Sequence, residues 1–194
     1  MFEVLSSLNN LFNSFLLNLG IYGPILACFL IMFESIVPIL PLFVFITINF
    51  IYFGPIIGLI LSWLFTVFGC ILSFFLFRKK MRHWFSKKIE NHPKFQKMMK
   101  NINHLKCEQL TTLIAIPATP AFLVNVCAGL STLSFKKFLV SLSIGKLFLV
   151  LFWGIVGTSM IEALTHPIAL IKVLILIVSS YICSKIVSKK LNIE

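Results

Sequence analysis

Uninterrupted apolar stretches are the feature of this chain that most limits its fold. Four of them approach the roughly 20 residues that a membrane-crossing helix needs, and they cover residues 15–33, 55–77, 138–161 and 168–183. Only 12% of the 194 residues are charged, against about 25% in soluble domains. The sequence therefore excludes a water-soluble fold and predicts an all-α, multi-pass protein of the cell membrane with four transmembrane helices.

Two further apolar stretches, residues 34–53 and 110–133, are each interrupted by a pair of prolines. The prolines are Pro38 and Pro41, then Pro117 and Pro120. Each proline of the second pair lies 79 positions after its counterpart. Because proline lacks a backbone N–H and breaks a helix, each stretch is predicted to be a re-entrant helical hairpin. Two independent kinks in ordinary helices are the alternative, since transmembrane helices tolerate proline.

Positive charge is distributed unevenly, and this predicts which ends of the helices face the cytoplasm. The first 77 residues contain no Lys or Arg, whereas residues 78–106 contain ten of them against one Glu. By the positive-inside rule this segment is cytoplasmic, and the lysines of the C-terminal tail lie on the same side. The N- and C-termini are therefore predicted to be cytoplasmic. The two hairpins then enter from opposite sides, as in the inverted repeats of transporters.

The composition also divides the chain into three parts. They are an N-terminal amphipathic interfacial helix at 1–20, a membrane domain at 21–161 that includes the basic cytoplasmic segment 78–106, and a final transmembrane helix with a basic tail at 162–194. The basic segment places lysines beside an apolar stripe, which predicts a surface on anionic lipid. The residues predicted for this surface are Arg78, Lys79, Lys80, Arg82 and Trp84. A solvated loop whose charges only set the topology is the alternative.

Several short motifs occur around the two proline pairs in a fixed order. They are Glu34, Gly54, Pro55, Gly58, Ser62, Trp63, Gly69, Ser73, Phe74 and Arg78 in the first half, then Asn125, Ala128, Gly129, Leu130, Ser134, Phe135, Lys136, Lys137, Phe138 and Gly145. In order and spacing, residues 33–158 resemble the VTT-domain family, the DedA-like or SNARE-associated membrane proteins. The resemblance implies two facing hairpins and movement of phospholipids or polyprenyl phosphates between leaflets, linked in some members to proton gradients. Bacterial DedA relatives carry arginines near the second proline pair, whereas residues 111–120 here are uncharged.

Glu34 is the most informative single residue, because no positive residue within the first 77 is available to pair with it locally. A charge at the bilayer centre costs about 2.5–3.5 kcal/mol on insertion scales, and intramembrane acids are functional by default. Glu34 is therefore predicted to face a polar cavity or to carry a proton, as a lipid-binding or proton site. The alternative places it at the outer interface, at the end of a helix.

Two other polar residues complete the predicted site. The full set is Glu34, Pro38, Pro41, Pro117, Pro120, Asn125 and Lys146. Asn125 offers both a donor and an acceptor, for backbone freed at the hairpin or for a lipid headgroup. Lys146 interrupts an apolar helix, where it either pairs with a phosphate or extends its stem to the cytoplasmic interface.

The sequence also limits the possible functions. It contains no Asp, which excludes mechanisms that need a catalytic aspartate, and it has no metal or cofactor motif, so neither an enzyme nor a cofactor is predicted. The net charge of +11 predicts membrane lipids, not nucleic acid, as the acidic partner. The predicted function is that of a lipid transporter or scramblase. Proton coupling and a homodimer remain open, and a proton-coupled small-solute or ion transporter and a non-transporting scaffold or assembly factor are the alternatives.

Overall fold

The computed structural model of the chain describes residues 22–38, 41–80, 101–102, 104–117, 121–163 and 169–191. The helices are α1 (Tyr22–Glu34), α2 (Leu42–Phe75), α3 (Cys107–Ala115), α4 (Ala121–Leu130), α5 (Phe135–Glu162) and α6 (Ala169–Leu191), with a π-helical turn, Leu76–Lys80, after α2. These ranges contain helices and turns but no strand, which confirms the all-α class. The predicted interfacial helix at 1–20 and most of the basic segment lie outside them.

Helix α2 consists of two antiparallel arms. Gly54 has a φ of 77° and a ψ of 171°, a backbone conformation that favours glycine. Asn49 Nδ2 donates to Ser62 Oγ at 3.0 Å, although the two residues are 13 positions apart and would be separated by about 20 Å along a continuous helix. The chain therefore reverses direction at Gly54, and arm 42–53 packs against arm 55–75.

The first proline pair belongs to the turn between α1 and arm 42–53. Helix α1 ends at Glu34, and Pro41 has an extended backbone immediately before the second arm begins. Cys28 Sγ of α1 accepts a hydrogen bond from Asn49 Nδ2 at 3.5 Å, so the two helices lie side by side. The first helical hairpin thus has α1 and residues 42–53 as its arms.

This hairpin differs from the sequence prediction, which assigned residues 15–33 to a separate membrane span and the whole hairpin to residues 34–53. The first arm of the hairpin is α1, whose 13 residues extend about 20 Å. Hydropathy cannot distinguish a hairpin arm from part of a span, because both are apolar on most faces.

The second half of the chain has the same order of elements. Helices α3 and α4 lie on either side of the second proline pair, and the long helix α5 follows. Ser141 Oγ of α5 donates to Cys107 O of α3 at 2.9 Å. One turn further along both helices, a side chain at Gly145 would meet Thr111 O at 2.8 Å. Helices α3 and α5 therefore run parallel and in close contact.

A similar packing of a glycine against the preceding hairpin arm occurs in the first half. A side chain at Gly69 in arm 55–75 would meet Met32 O of α1 at 2.6 Å. Thr111, which meets Gly145 in the second half, lies 79 positions after Met32, which is also the offset between the proline pairs. The equivalence of Met32 and Thr111 supports an internal repeat, in which the first arm of each hairpin packs against the long helix that follows the hairpin.

Contacts between the two long helices hold the halves together. Trp63 Nε1 of arm 55–75 donates to Ser143 O of α5 at 2.8 Å. Phe74 stacks on Phe138 with ring centroids 4.5 Å apart. Helix α6 packs against α5 and the end of α3. The hairpins and the long helices therefore form one bundle.

Two helices in the described ranges have the length and composition to cross a membrane, Leu42–Lys79 and Phe135–Glu162. Because the chain reverses at Gly54, the helix Leu42–Lys79 does not cross as one piece. Its arm 55–75 is about 31 Å long, which is enough to cross the membrane. Helix α6 has a shorter apolar stretch, Val173–Ile182. Four complete spans remain a prediction.

Replacing Gly69 or Gly145 with alanine should destabilise the protein by about 1–3 kcal/mol through overpacking. In each variant the new Cβ would lie within 2.8 Å of a backbone oxygen of the adjoining hairpin arm. Thermal unfolding in detergent micelles measures the effect, with Leu64→Ala on the exposed side of arm 55–75 as the control. Glycine variants as stable as this control would contradict the close packing.

Candidate functional site

The turn of the first hairpin contacts helix α4 of the second hairpin. Asn125, which is 1% exposed, donates through Nδ2 to Ser35 O at 3.4 Å and contacts Cys70 Sγ at 3.2 Å. Both acceptors belong to the first half, so this asparagine joins the two hairpins. Of the two roles predicted for Asn125, the geometry supports the hydrogen bond to backbone freed at the hairpin turn.

Two ionisable groups, the half-buried Glu34 and the buried Lys146, lie in this region. Glu34 immediately precedes Ser35, and its carboxylate interacts electrostatically with the ammonium of Lys146. Lys146 is 1% exposed. Within the described ranges, neither Lys146 Nζ nor Glu34 Oε2 has a hydrogen-bond partner. The structure thus brings together two of the predicted site residues from opposite halves of the chain.

The enclosure of Lys146 is energetically costly, because a buried charge is tolerated only when it is paired and hydrogen-bonded. The stem of this lysine does not extend to the interface, so the snorkelling alternative is wrong. Glu34 is half-buried, with one oxygen shielded from solvent and unpartnered in the described part of the protein. A lone intramembrane pair of this kind is typical of a ligand or ion site.

The packing of α5 explains why Lys146 points inward. Gly145, its neighbour, allows α3 to approach one side of the helix. Val150, one turn further, packs with Ile31 and Ile46 of the first hairpin. Lys146 therefore lies on the face of α5 that the first hairpin covers.

Asn49 is a polar residue of this region that the sequence interpretation missed. It is fully buried in the hairpin arm 42–53, and its Oδ1 has no hydrogen-bond partner among the described residues. Ser73 Oγ, in arm 55–75, likewise has no hydrogen-bond partner among the described residues. An asparagine in the middle of an apolar stretch is the signal that singled out Asn125, and it applies equally to Asn49.

Arg78 was predicted to contact anionic lipid, but its side chain reaches the end of helix α4. Its Nη2 donates to Leu133 O at 2.7 Å and to Ser131 O at 2.9 Å, and its Nε donates to Gly129 O at 3.3 Å. The guanidinium carbon lies 4.4 Å from the centroid of the Phe74 ring. Gly129 O is one of the last carbonyls of α4, which lack partners within the helix, whereas Ser131 and Leu133 follow it. Arg78 therefore caps α4 and binds the turn after it.

The other residues predicted for the sites are located as follows. Lys79 is exposed, with Nζ 5.7 Å from the centroid of the Phe75 ring. Pro38 and Pro41 are exposed at the turn of the first hairpin, away from protein packing. The side chain of Lys80 and all of Arg82, Trp84 and Pro120 lie outside the residues that the structure describes.

Pro117 borders a cleft of about 370 Å³ between the end of α3, α5 and α6. Phe148, Leu151 and Ile155 of α5 form one wall. In helical projection these residues lie on the side of α5 opposite to Lys146. Pro117 therefore borders an apolar cleft, which α5 separates from Lys146.

The ionisable groups present define what this region can do. Lys146 can hold an anion, and Glu34 can exchange a proton. In the described ranges no group of three or more His, Cys, Asp or Glu residues comes together to hold a metal ion. Cys28, Cys70, Cys107 and Cys127 are free thiols.

The described residues form an all-helical bundle in which two apolar helices are long enough to cross a membrane, which is typical of a helical membrane protein. The family model of the VTT domain matches residues 37–159. The chain belongs to this family of DedA-like membrane proteins.

Two proteins of Bacillus subtilis (strain 168) are similar to this chain. The first is the uncharacterized membrane protein YhjE, 32% identical over 166 residues, which are 85% of this chain and 80% of YhjE. The second is the uncharacterized protein YqeD, 28% identical over 128 residues, which are 66% of this chain and 62% of YqeD. No solved structure matches the chain significantly.

Proposed function

We propose that this protein moves the headgroups of anionic membrane lipids, phospholipids or polyprenyl phosphates, between the two leaflets. The observation that carries the proposal is the buried ammonium of Lys146, which makes no hydrogen bond in the described structure and interacts electrostatically with the half-buried carboxylate of Glu34, next to the contact between the hairpins. A lipid that changes leaflet must take a charged headgroup through the hydrocarbon core. A protein lowers that barrier by offering polar partners at depth, which broken helices permit.

Lys146 is the group that would hold the phosphate. Its ammonium has three N–H donors, and within the described residues none of them is used. Charge-assisted hydrogen bonds to phosphate are stronger than neutral ones. The ammonium is therefore an anion site that the protein itself does not fill.

Glu34 would control access to that lysine. As a carboxylate it competes with the phosphate for the ammonium and repels the incoming negative charge. Once protonated, it stops repelling the phosphate and can donate a hydrogen bond to it. Headgroup binding is therefore linked to proton uptake at Glu34, which gives the protein a route to proton coupling without arginines at the second hairpin.

The topology proposed with this function follows the charge distribution. Both hairpins are re-entrant from opposite sides, and the C-terminal tail and the basic segment 78–106 face the cytoplasm. Lys79, Lys80, Arg82 and Trp84 then lie at the cytoplasmic headgroup layer, where each basic residue near anionic lipid contributes about 1 kcal/mol.

Leaflet exchange of fluorescent lipids in vesicles tests the proposal, with anionic phospholipid and polyprenyl phosphate as probes. We expect Glu34→Gln to weaken the dependence of exchange on a pH gradient, because glutamine cannot change its protonation state. Glu108→Gln is the matched control, since Glu108 is exposed at the start of α3. No exchange by folded wild-type protein would contradict lipid movement. In that case, solute uptake driven by a pH gradient would indicate a small-solute transporter, and its absence would favour a scaffold.

A further inference from the structure

The cleft beside Pro117 has the features of a hydrocarbon site. Its volume of about 370 Å³ falls within the range of small-molecule sites, about 300–1,000 Å³. The cleft opens sideways from the bundle, because Phe148 and Ile155 on its α5 wall are about half exposed. Both residues lie in a helix that can cross the membrane, so the cleft faces lipid.

Two hydroxyls that line the cleft, those of Thr112 and Ser179, already make hydrogen bonds. Thr112 Oγ1 donates to Glu108 O at 2.9 Å, and Ser179 Oγ donates to Leu176 O at 2.9 Å. Each hydroxyl is thus bonded within its own helix. The remaining wall is almost entirely apolar, which disfavours a headgroup or water as the occupant because apolar cavities stay dry.

The short length of α3 explains why the cleft exists. Helix α3 has 9 residues and ends at Ala115, whereas α5 has 28 and α6 has 23. Where α3 ends at the proline turn, it no longer fills the space between the two longer helices. The opening is therefore a consequence of the broken hairpin and runs beside its turn.

We propose that this cleft binds a single acyl chain of a membrane lipid, with the headgroup remaining outside it. The chain packs against Phe148 and Ile155 and supports the turn at Pro117. The site needs only that the protein lies in a bilayer, so it is independent of lipid movement. Because α5 separates the cleft from Lys146, the bound chain is distinct from a lipid whose headgroup occupies the ionic pair.

Photolabelling of the wild-type protein in phosphatidylcholine vesicles tests the site. One probe lipid carries a diazirine on its acyl chain, and a second carries it on the headgroup. We expect the acyl probe to label the cleft walls on α5 and α6 more strongly than Ile144. Ile144 is similarly exposed on the same side of α5 but does not line the cleft. The headgroup probe should not label the cleft.

Variants that fill the cleft complete the test. Ile155→Trp and Ser179→Phe, from opposite walls, should reduce acyl labelling of the cleft to the level at Ile144, while Ile144→Trp leaves it unchanged. Thermal unfolding identifies variants that misfold, and the two walls give independent results. Equal labelling of Ile144 and the cleft, or labelling of the cleft by the headgroup probe, would overturn the proposal. Neither labelling experiment depends on lipid transport. A negative result here can therefore be told apart from a failure of the proposed function.

Discussion

Lys146→Met should abolish most leaflet exchange of anionic lipid while leaving the protein at least as stable as the wild type. Hydrogen bonds to a charged group contribute about 1.5–3 kcal/mol, so losing them should reduce exchange by roughly ten- to hundredfold. Methionine has a similar shape and carries no charge. The buried ammonium, which makes no hydrogen bond in the described structure, costs about 2.5–3.5 kcal/mol at bilayer depth. Glu34 is only half-buried and can take up a proton when the lysine is lost, so the variant should not have a lower thermal midpoint.

The combination of these two readouts distinguishes a functional lysine from a structural one. Lys136→Met is the matched control, because Lys136 is exposed in the first turn of the same helix. If Lys146→Met lowered the midpoint and exchange together, the lysine would be structural, and the proposed phosphate site would be wrong. Exchange at the wild-type rate would have the same consequence.

Arg78→Gln should cause the second large effect, a loss of stability of about 2–4 kcal/mol, because several carbonyls at the end of α4 lose a charged donor. Glutamine cannot reach Gly129, Ser131 and Leu133 at once as the planar guanidinium does. Arg78→Lys should restore the charge but only part of the stability, since an ammonium has fewer donors in a less rigid arrangement. Thermal or denaturant unfolding in micelles measures both variants.

Lys79→Gln provides the comparison for Arg78→Gln, since it removes one positive charge from an exposed neighbour. The stability loss of Arg78→Gln should be the same in neutral and in anionic lipid, because the bonds lie within the protein. A loss that appears only with anionic lipid would favour the predicted lipid surface and contradict the cap.

Local chemistry explains which parts of the fold could be predicted from the sequence. The helices break at Pro38 and Pro117 because proline cannot donate the hydrogen bond that continues a helix. The constant offset of 79 positions recurs between Met32 and Thr111, whose carbonyls pack against Gly69 and Gly145, although the two glycines themselves are 76 positions apart. Gly69 and Gly145 belong to the motifs that carry the family resemblance, and in the structure both are positions of close helix packing.

Features that depend on the partner of a residue were not predictable. Hydropathy placed residues 15–33 in a span, because a pattern of apolar residues does not reveal that α1 pairs with arm 42–53. Arg78 begins a basic run and was therefore assigned to the lipid surface. Its acceptors are carbonyls about 50 residues later, and only the folded chain brings them near.

The candidate site was likewise predictable only in part. Glu34 and Lys146 were each singled out because a charge in an apolar stretch is costly, but nothing in the sequence pairs residues so far apart. Asn49 was missed although the same argument applied to it. Its burial depends on two turns of the chain, since the turn after α1 brings it to Cys28 and the reversal at Gly54 brings it to Ser62.

The most direct test of the central claim compares the wild type with the double variant Glu34→Gln/Lys146→Met in vesicles. The double variant removes both charges without leaving either one buried alone, so it should remain folded. We predict that the purified wild-type protein exchanges anionic phospholipid between leaflets, and that the double variant exchanges it at the rate of protein-free vesicles. Exchange by the double variant at the wild-type rate would contradict a headgroup path through Glu34 and Lys146.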